Sequence, residues 1–169
     1  MTIDGCRHDF PGLASEVLPA HMKELKAAMT RPLSMADFSK RGEGVRSLLA
    51  KHGLEEDFSG CYVLVDPQPI YVGISRGVFA RLRQHVTGRT HFDASLAYRM
   101  AKEDAPHKHT RDAAMGDVTF KKLFESKRDF LRKLKVATVT IDCPVELHLF
   151  EVYAALALKT SKWNTFRTH

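Results

Sequence analysis

The sequence has 169 residues, of which 44% are hydrophobic and 27% charged, and its formal net charge is +6. This composition fits one compact domain and excludes a disordered or collagen-like chain. No apolar run approaches the roughly 20 residues of a membrane span and the N-terminal residues lack the apolar core of a secretory signal, so we expect a soluble cytoplasmic protein without a membrane partner.

Residues 1–58 are predicted to form an N-terminal helical arm. Apolar residues recur at three- and four-residue spacing from Leu18 to Met29, and Pro32 ends that pattern. A second short helix is predicted to start with Val45, Leu48 and Leu49 and to end at Gly53. The apolar stripes are typical of packing surfaces, and the near balance of acidic and basic residues gives no reason to lay this arm along nucleic acid.

A β-hairpin followed by a helix is predicted next. Gly60–Asp66 is rich in β-forming residues, a Pro-Gln-Pro turn follows, and residues 70–74 form a second short strand. The helix after the hairpin has apolar residues at helical spacing. Arg81 and His85 are four residues apart on this helix, so their side chains are neighbours on its surface.

The excess of positive charge lies in residues 76–135, which hold 15 basic and 7 acidic side chains. Within them, about 87–118 is predicted to be a polar insertion that is irregular except for a short helix near 94–102, and residues 120–134 are predicted to form a basic helix. A one-sided field of this kind is expected of a protein that binds a polyanion. A solvated helical face would show the same pattern, so the charge alone names no function.

The last predicted elements are a strand over 136–141 and a closing helix that begins after Pro144. Glu151 lies in this helix, which is apolar on nearly every side, and an ionised carboxylate there is costly unless it is paired or binds a metal. A site residue and an ion pair at the helix edge are equally open interpretations. Glu146 lies in the first turn, where a carboxylate meets the helix dipole favourably, and is interpreted as structural.

The order of these elements predicts an α+β fold. We expect a small three-stranded, mainly antiparallel sheet flanked by helices, with the helical arm before it and the basic insertion after the first core helix. The predicted domains are 1–58, the N-terminal extension, and 59–169, which contains the sheet and the insertion.

Two other sets of candidate ligands are weaker. The cysteines at positions 6, 61 and 143 are odd in number and far apart in the chain, so we expect reduced, buried thiols and neither a disulfide framework nor a CxxC zinc site. His107, His109 and Asp112 lie in the charged insertion, where a solvated loop is more common than a set of transition-metal ligands.

An ordered set of residues resembles the signature of the GIY-YIG nuclease domain. The set comprises Gly60-Cys61-Tyr62, Tyr71-Val72-Gly73, Arg81, His85, Glu151 and Asn164. Cys61 and Val72 replace the isoleucines of the two tripeptides, at positions expected to pack. The resemblance covers about 59–166, and the stretch after His85 is longer than in the minimal domain of the family.

The resemblance implies a metal-dependent DNA endonuclease that hydrolyses phosphodiester bonds. Glu151 would bind one Mg²⁺ or Mn²⁺ ion, a hard cation that takes oxygen ligands and keeps several waters. Since no second carboxylate has a comparable setting, a two-metal site is disfavoured. Arg81 would hold the phosphate, because its planar and permanently charged fork matches phosphate oxygens.

The remaining site residues would move protons or orient groups. Tyr62 would be the general base by resemblance, and its ordinary pKa near 10 would have to fall beside the cation and Arg81. His85 is the rival base or proton shuttle. Tyr71 would orient Tyr62 or the phosphate, and Asn164 would bond the phosphate, fix the loop or cap a helix.

DNA is the expected partner, bound through its backbone by basic side chains. The predicted contacts are Arg76, Arg83, Lys121, Lys122, Arg128 and Arg132. A symmetric homodimer would supply the two sites needed to cut both strands. The main alternative is a catalytically silent nucleic-acid-binding module with the same fold, and a further one is an interaction domain that uses the N-terminal helices.

Overall fold

The computed structural model describes residues 3–166; residues 1–2 and 167–169, the ends of the two predicted domains, lie outside the described residues. The chain folds as two compact units. Unit 1 combines residues 3–33, 56–78 and 135–166, and unit 2 combines residues 34–55 and 79–134. The predicted arm therefore contributes to both units.

The sheet has four strands, flanked by helices in an α+β fold. The strands are β1 (Leu33–Ser34), β2 (Gly60–Asp66), β3 (Gln68–Ser75) and β4 (Lys135–Thr140). Their order is β1-β4-β2-β3, and β2 is antiparallel to both of its neighbours. The α+β class is confirmed and the expectation of three strands is wrong, because two residues directly after Pro32 are too few to show an alternating pattern.

Eight α-helices are found in residues 3–166. They are α1 (Phe10–Gly12), α2 (Leu18–Met29), α3 (Val45–Lys51), α4 (Val78–Thr87), α5 (Ser95–Asp104), α6 (Arg111–Gly116), α7 (Val118–Lys133) and α8 (Pro144–Ala157). The expectation of irregular chain over α6 is wrong; the Thr110 side chain caps this helix by accepting a hydrogen bond from the Ala113 amide. Within these residues, no helix has the length and apolar character needed to cross a membrane.

The core of unit 1 lies between one face of the sheet and helices α2 and α8. Cys61, Val63 and Val72 pack from the sheet against Leu25 and Phe150 of the two helices. Because successive side chains of a strand point to opposite faces, residues 62 and 71 project from the other face. The alternation in the sequence therefore decides on which side of the sheet the tyrosines lie.

Unit 2 is mainly helical and holds most of the basic segment. Helix α7 packs against α5, α6 and the 3₁₀ turn Met35–Ser39. Its first turn is capped by Asp117, whose carboxylate accepts a hydrogen bond of 2.7 Å from the Phe120 amide. Phe38 and Phe79 pack edge to face with ring centroids 5.2 Å apart. The apolar face of α7 is buried through Phe120, Phe124 and Leu131. Lys121, Lys122 and Lys133 are exposed, whereas Lys127 is half-buried in an ion pair with Asp104.

Candidate active site

Four of the six predicted catalytic residues belong to unit 1: Tyr62, Tyr71, Glu151 and Asn164. Tyr62 and Tyr71 lie on the same face of the hairpin, with ring centroids 6.2 Å apart. Tyr62 is only 1% exposed, whereas Tyr71 is partly exposed. The structure therefore brings the two tyrosines together and leaves Tyr71 as the more accessible of the pair.

Gly73 makes room for the Tyr62 ring. The two residues are directly opposite each other in the antiparallel register of β2 and β3. A Cβ atom added at Gly73 would lie 2.4 Å from both Cζ and the hydroxyl oxygen of Tyr62, well inside van der Waals contact. The glycine of the second tripeptide is thus explained by packing, since the hydroxyl end of the tyrosine crosses the neighbouring strand at this position.

We expect Gly73→Ala to displace the Tyr62 ring. Overpacking of this kind typically costs about 1–3 kcal/mol of unfolding free energy, and it would move the hydroxyl that the resemblance assigns to catalysis. Urea unfolding measures the cost. The control is Gly116→Ala, because a Cβ there meets no atom within 4 Å. Equal stability of the two variants would contradict this packing.

Asn164 is bound to the edge strand. Its side-chain oxygen accepts a hydrogen bond of 2.9 Å from the Val72 amide, and its side-chain nitrogen donates one of 2.8 Å to the Val72 carbonyl. Both polar groups of the side chain thus satisfy the backbone of β3 beside Tyr71. The C-terminal segment is fastened to the hairpin by this pair, as the loop-fixing alternative for Asn164 requires.

Glu151 is a half-buried carboxylate on α8. Burial raises its pKa, and the nearby His148 acts in the opposite direction. No hydrogen bond or ion pair to it is found in the described part of unit 1. The ion pair at the helix edge that the sequence left open is therefore not formed within this unit, and the partial burial of the carboxylate is offset only by the nearby His148.

The carboxylate of Glu151 lies on the side of the sheet that α8 covers. Burial raises the pKa of the Cys61 thiol, and the negative charge of Glu151 raises it further. This thiol lies in the core beneath α8. Tyr62 follows Cys61 in β2 and so faces the other side. In unit 1, the Glu151 carboxylate on α8 and the two phenols therefore lie on opposite sides of the hairpin.

A cleft of about 490 Å³ opens in unit 1 where β3 ends and α8 begins. Arg76 and Asp142 line it, and His148 on the first turns of α8 forms part of its wall. His148 also connects the cleft to Glu151, whose pKa it lowers from one turn away. The predicted DNA contact Arg76 is exposed here, with its guanidinium available to an anion.

Arg81, in unit 2, is held in a fixed orientation. Its two terminal nitrogens donate to the Asp93 carbonyl at 2.9 Å and the Ser95 hydroxyl at 3.0 Å, and also to the Gln84 side chain. The guanidinium is partly exposed. Because the segment before α5 orients the fork, little side-chain entropy remains to be lost when an anion binds.

His85 is fully buried in the same helix as Arg81. Burial lowers its pKa from 6.5 to about 3, and the Arg81 charge contributes in the same direction. The imidazole is therefore neutral across the physiological range. A base with such a low pKa is a poor proton acceptor from water, which disfavours the rival role that the sequence left open for His85.

The buried His85 predicts a pH dependence of stability. An unfolded histidine titrates near 6.5 and the native one near 3, so the unfolded chain binds the extra proton between these pH values. The unfolding free energy falls as the pH drops through this window, by up to about 1.4 kcal/mol per pH unit. Denaturant unfolding of His85→Gln should show a shallower fall than wild type or the exposed-site control His109→Gln; parallel curves would contradict it.

Three of the six predicted DNA contacts instead hold backbone carbonyls in unit 2. Arg128 donates to the Gly88 carbonyl at 2.6 Å, and Arg132 donates to the Val86 carbonyl at 2.8 Å, which satisfies the C-terminal end of α4. Arg83 donates to the Phe38 carbonyl at 3.1 Å. These guanidiniums have structural partners, whereas Lys121 and Lys122 are exposed.

The sequence did not single out the residues that orient the site. Asp93 and Ser95, which hold Arg81, lie in a polar stretch where only their hydrogen bonds distinguish them. The sequence favours a packed or capping side chain at His148; its Nδ1 is indeed 2.7 Å from the Pro144 carbonyl, but it also influences Glu151. His148 and Glu151 are three residues apart on α8, and this spacing could have predicted that their side chains are neighbours.

Comparison of the chain with protein-family models, curated proteins and solved structures gives no match. The resemblance to the GIY-YIG domain therefore depends on the ordered residues of the sequence. Within unit 1 the structure brings together the paired tyrosines and the glycine beneath one ring, and it places a half-buried carboxylate on α8.

Proposed function

We propose that this chain is a metal-dependent DNA endonuclease of the GIY-YIG type that hydrolyses phosphodiester bonds. The observation that carries the proposal is Glu151, a half-buried carboxylate on an apolar helix without an ion pair or hydrogen bond in the described part of its own unit. A protein that gains nothing from this charge would be more stable with a neutral residue there. The free-energy cost of burying this charge is explained if the carboxylate binds a cation.

The residues present fit a single hard cation. A carboxylate whose pKa is raised by burial gains most from a bound positive charge, and its oxygens have no competing donor in the described part of unit 1. Mg²⁺ or Mn²⁺ needs only one or two protein carboxylates, with waters and substrate phosphate as further ligands. When bound, such an ion supplies a Lewis acid for the leaving oxygen.

Tyr62 is the proposed general base. In an in-line displacement the attacking and leaving oxygens lie on opposite sides of phosphorus. A base and a metal ligand therefore approach one phosphate from two sides, so the proposal requires the phosphate to lie at an edge of the hairpin that both Tyr62 and Glu151 reach. Tyr71, which is the more exposed of the two tyrosines, would orient the phosphate through its hydroxyl.

Arg81 is the proposed phosphate-binding residue. Its fork is already oriented by Asp93 and Ser95, and the guanidinium stays charged at any working pH. The positive guanidinium placed against the phosphate oxygens stabilises the transition state more than the ground state, because negative charge develops on those oxygens during hydrolysis.

Lys121 and Lys122 are the exposed basic pair proposed to bind the DNA backbone. The double variant Lys121→Ala/Lys122→Ala should bind DNA more weakly and reduce the slope of log affinity against log salt by about 2, because two phosphates are no longer neutralised by the protein. A fluorescence anisotropy titration over a salt series measures this slope. The control is Lys23→Ala/Lys26→Ala on α2; equal slopes in both double variants would contradict the assignment.

A catalytically silent nucleic-acid-binding module is the second candidate. The observation in its favour is the burial of Tyr62, which is 1% exposed, and of His85, which is fully buried. A general base must reach the water that it activates. If the tyrosine stays covered when DNA binds, the chain can hold its ligand without turnover.

Cleavage of supercoiled plasmid distinguishes these candidates. The purified chain is incubated with the plasmid at low salt in Mg²⁺, in Mn²⁺ or in EDTA, and the products are separated on a gel. The endonuclease predicts nicked or linear product that needs a metal. A salt-dependent gel shift without product under any metal would instead support the silent module.

A further inference from the structure

A second group of metal-ligating side chains lies in unit 1, on the N-terminal side of α8. The thiols of Cys6 and Cys143 and the carboxylate of Glu146 have ligand atoms within 4.8 Å of one another. Cys6 is buried, and the other two residues are partly buried. The three cysteines are free thiols, as expected, and the fold brings two that are far apart in the chain close together.

The carboxylate of this group is held by a histidine. Nε2 of His21 on α2 lies 3.0 Å from Oε2 of Glu146, and the His21 ring packs edge to face on Phe150 with centroids 5.6 Å apart. Imidazole contacts of this kind orient metal-ligating carboxylates in proteins. The sequence explains Glu146 as a helix-dipole residue, and its histidine partner adds a reason for its placement beside two thiols.

We propose that Cys6, Cys143 and Glu146 bind one Zn²⁺ ion, with His21 as a positioning residue. Two thiols and a carboxylate form a donor set suited to a borderline-soft cation, since thiolates select zinc over magnesium or calcium. Because zinc binds sulfur at about 2.3 Å in tetrahedral geometry, the ligand atoms of a zinc site lie roughly 4 Å apart. The ligand atoms of this group, which lie within 4.8 Å of one another, therefore need to approach by about 1 Å at most.

Both thiols would release their protons to solvent on binding, and the ion would take the resulting thiolates as ligands. A cavity of about 460 Å³ lies beside Cys6, lined also by Val145 and Leu149, and water from it would supply the fourth ligand. Its wall comes from the N-terminal segment and from α8. The ion would therefore fasten residues 6–13 to the helix that carries Glu151.

The site is distinct from the proposed endonuclease centre. Its thiols prefer a softer ion than the Mg²⁺ or Mn²⁺ proposed at Glu151, and its ligands come from the beginning of α8 and the chain's N-terminal segment. Its role would be structural, since a bound ion stabilises the native state by mass action. Loss of cleavage is therefore not its readout.

Native mass spectrometry of the full chain tests the proposal. The protein is kept reduced, incubated with Zn²⁺ and desalted, and we expect about one retained ion per chain. Cys6→Ala and Cys143→Ala should lose that ion, whereas Cys61→Ala, which removes a core thiol outside the group, should retain it. Glu146→Gln keeps the side-chain shape and should weaken retention while the circular dichroism spectrum stays that of the wild type.

A Co²⁺ substitution gives a second readout that does not depend on stability. The wild-type chain should show a thiolate-to-cobalt charge-transfer band, Cys6→Ala and Cys143→Ala a weaker one, and Cys61→Ala an unchanged one. Zinc retained equally by all the cysteine variants would overturn the proposal. So would a reduced wild-type chain that binds no ion, including one whose two thiols form a disulfide when the reductant is omitted.

Discussion

Glu151→Gln is expected to abolish metal-dependent DNA cleavage without lowering the stability of the metal-free protein. The amide keeps the shape of the side chain but removes the charge that would hold the ion, and loss of a Lewis acid worth several kcal/mol corresponds to a rate decrease on the order of 1000-fold. Because burial raises the pKa of Glu151, its ionised form opposes folding, and the neutral amide relieves that cost.

Cleavage rate and thermal unfolding of this variant are measured side by side. Glu24→Gln, an exposed carboxylate on α2, is the matched control and should change neither quantity. A Glu151→Gln variant that cuts at the wild-type rate would exclude Glu151 as the metal ligand. A large loss of stability in the metal-free protein would instead reveal a structural partner for the carboxylate.

Tyr62→Phe is expected to lower the cleavage rate by about 10²–10⁴, the usual effect of removing a general base. The phenyl ring still fills the space above Gly73, so the hairpin packing is preserved. DNA affinity should stay close to that of the wild type, because the lost hydroxyl acts in the chemical step and not in backbone binding.

Tyr71→Phe is the comparison for this prediction. Tyr71 lies on the same face and is more exposed, and its proposed role is to orient the phosphate, so its loss should be the smaller of the two. Single-turnover rates at saturating DNA separate the effects. A greater loss in Tyr71→Phe would transfer the role of base to the accessible tyrosine.

Much of unit 1 was predictable because its sheet is built from local patterns. The strand Gly60–Asp66 has the predicted ends, and Lys135–Thr140 differs from its prediction by one residue at each end. β3 begins at Gln68, because the Pro-Gln-Pro turn is tighter than expected and Asp66 pairs with Gln68 across it. β1 contains two residues, too few for a period to be recognised.

The sequence singled out the candidate residues, which remain a prediction, but it could not give their surroundings. The order of Tyr62, Tyr71 and Glu151 along the chain identified a pattern, whereas the shared face of the tyrosines follows from the register of β2 and β3, which the structure provides. The distribution of charge could not distinguish the structural role of Arg128 from the exposed position of Lys121. Helical periodicity predicts the face on which a residue lies, but it does not predict that the Arg128 guanidinium binds the Gly88 carbonyl after another helix.

Pairs that depend on long-range packing were beyond sequence reasoning. Cys6 and Cys143 approach each other only because the N-terminal segment and the start of α8 meet in unit 1. Asn164 finds the backbone of Val72 for a similar reason, since an edge strand offers unpaired groups that no local pattern reveals.

Single-turnover cleavage of a labelled DNA substrate by wild type and Glu151→Gln, in Mg²⁺ and in EDTA, tests the central claim most directly. Binding of the same DNA is followed by anisotropy, so that catalysis and affinity are separated. The account predicts product for the wild-type chain in Mg²⁺ alone, with Glu151→Gln binding equally well and cutting at least about 100-fold more slowly. Equal cleavage by both chains, or cleavage by the wild type in EDTA, would contradict it.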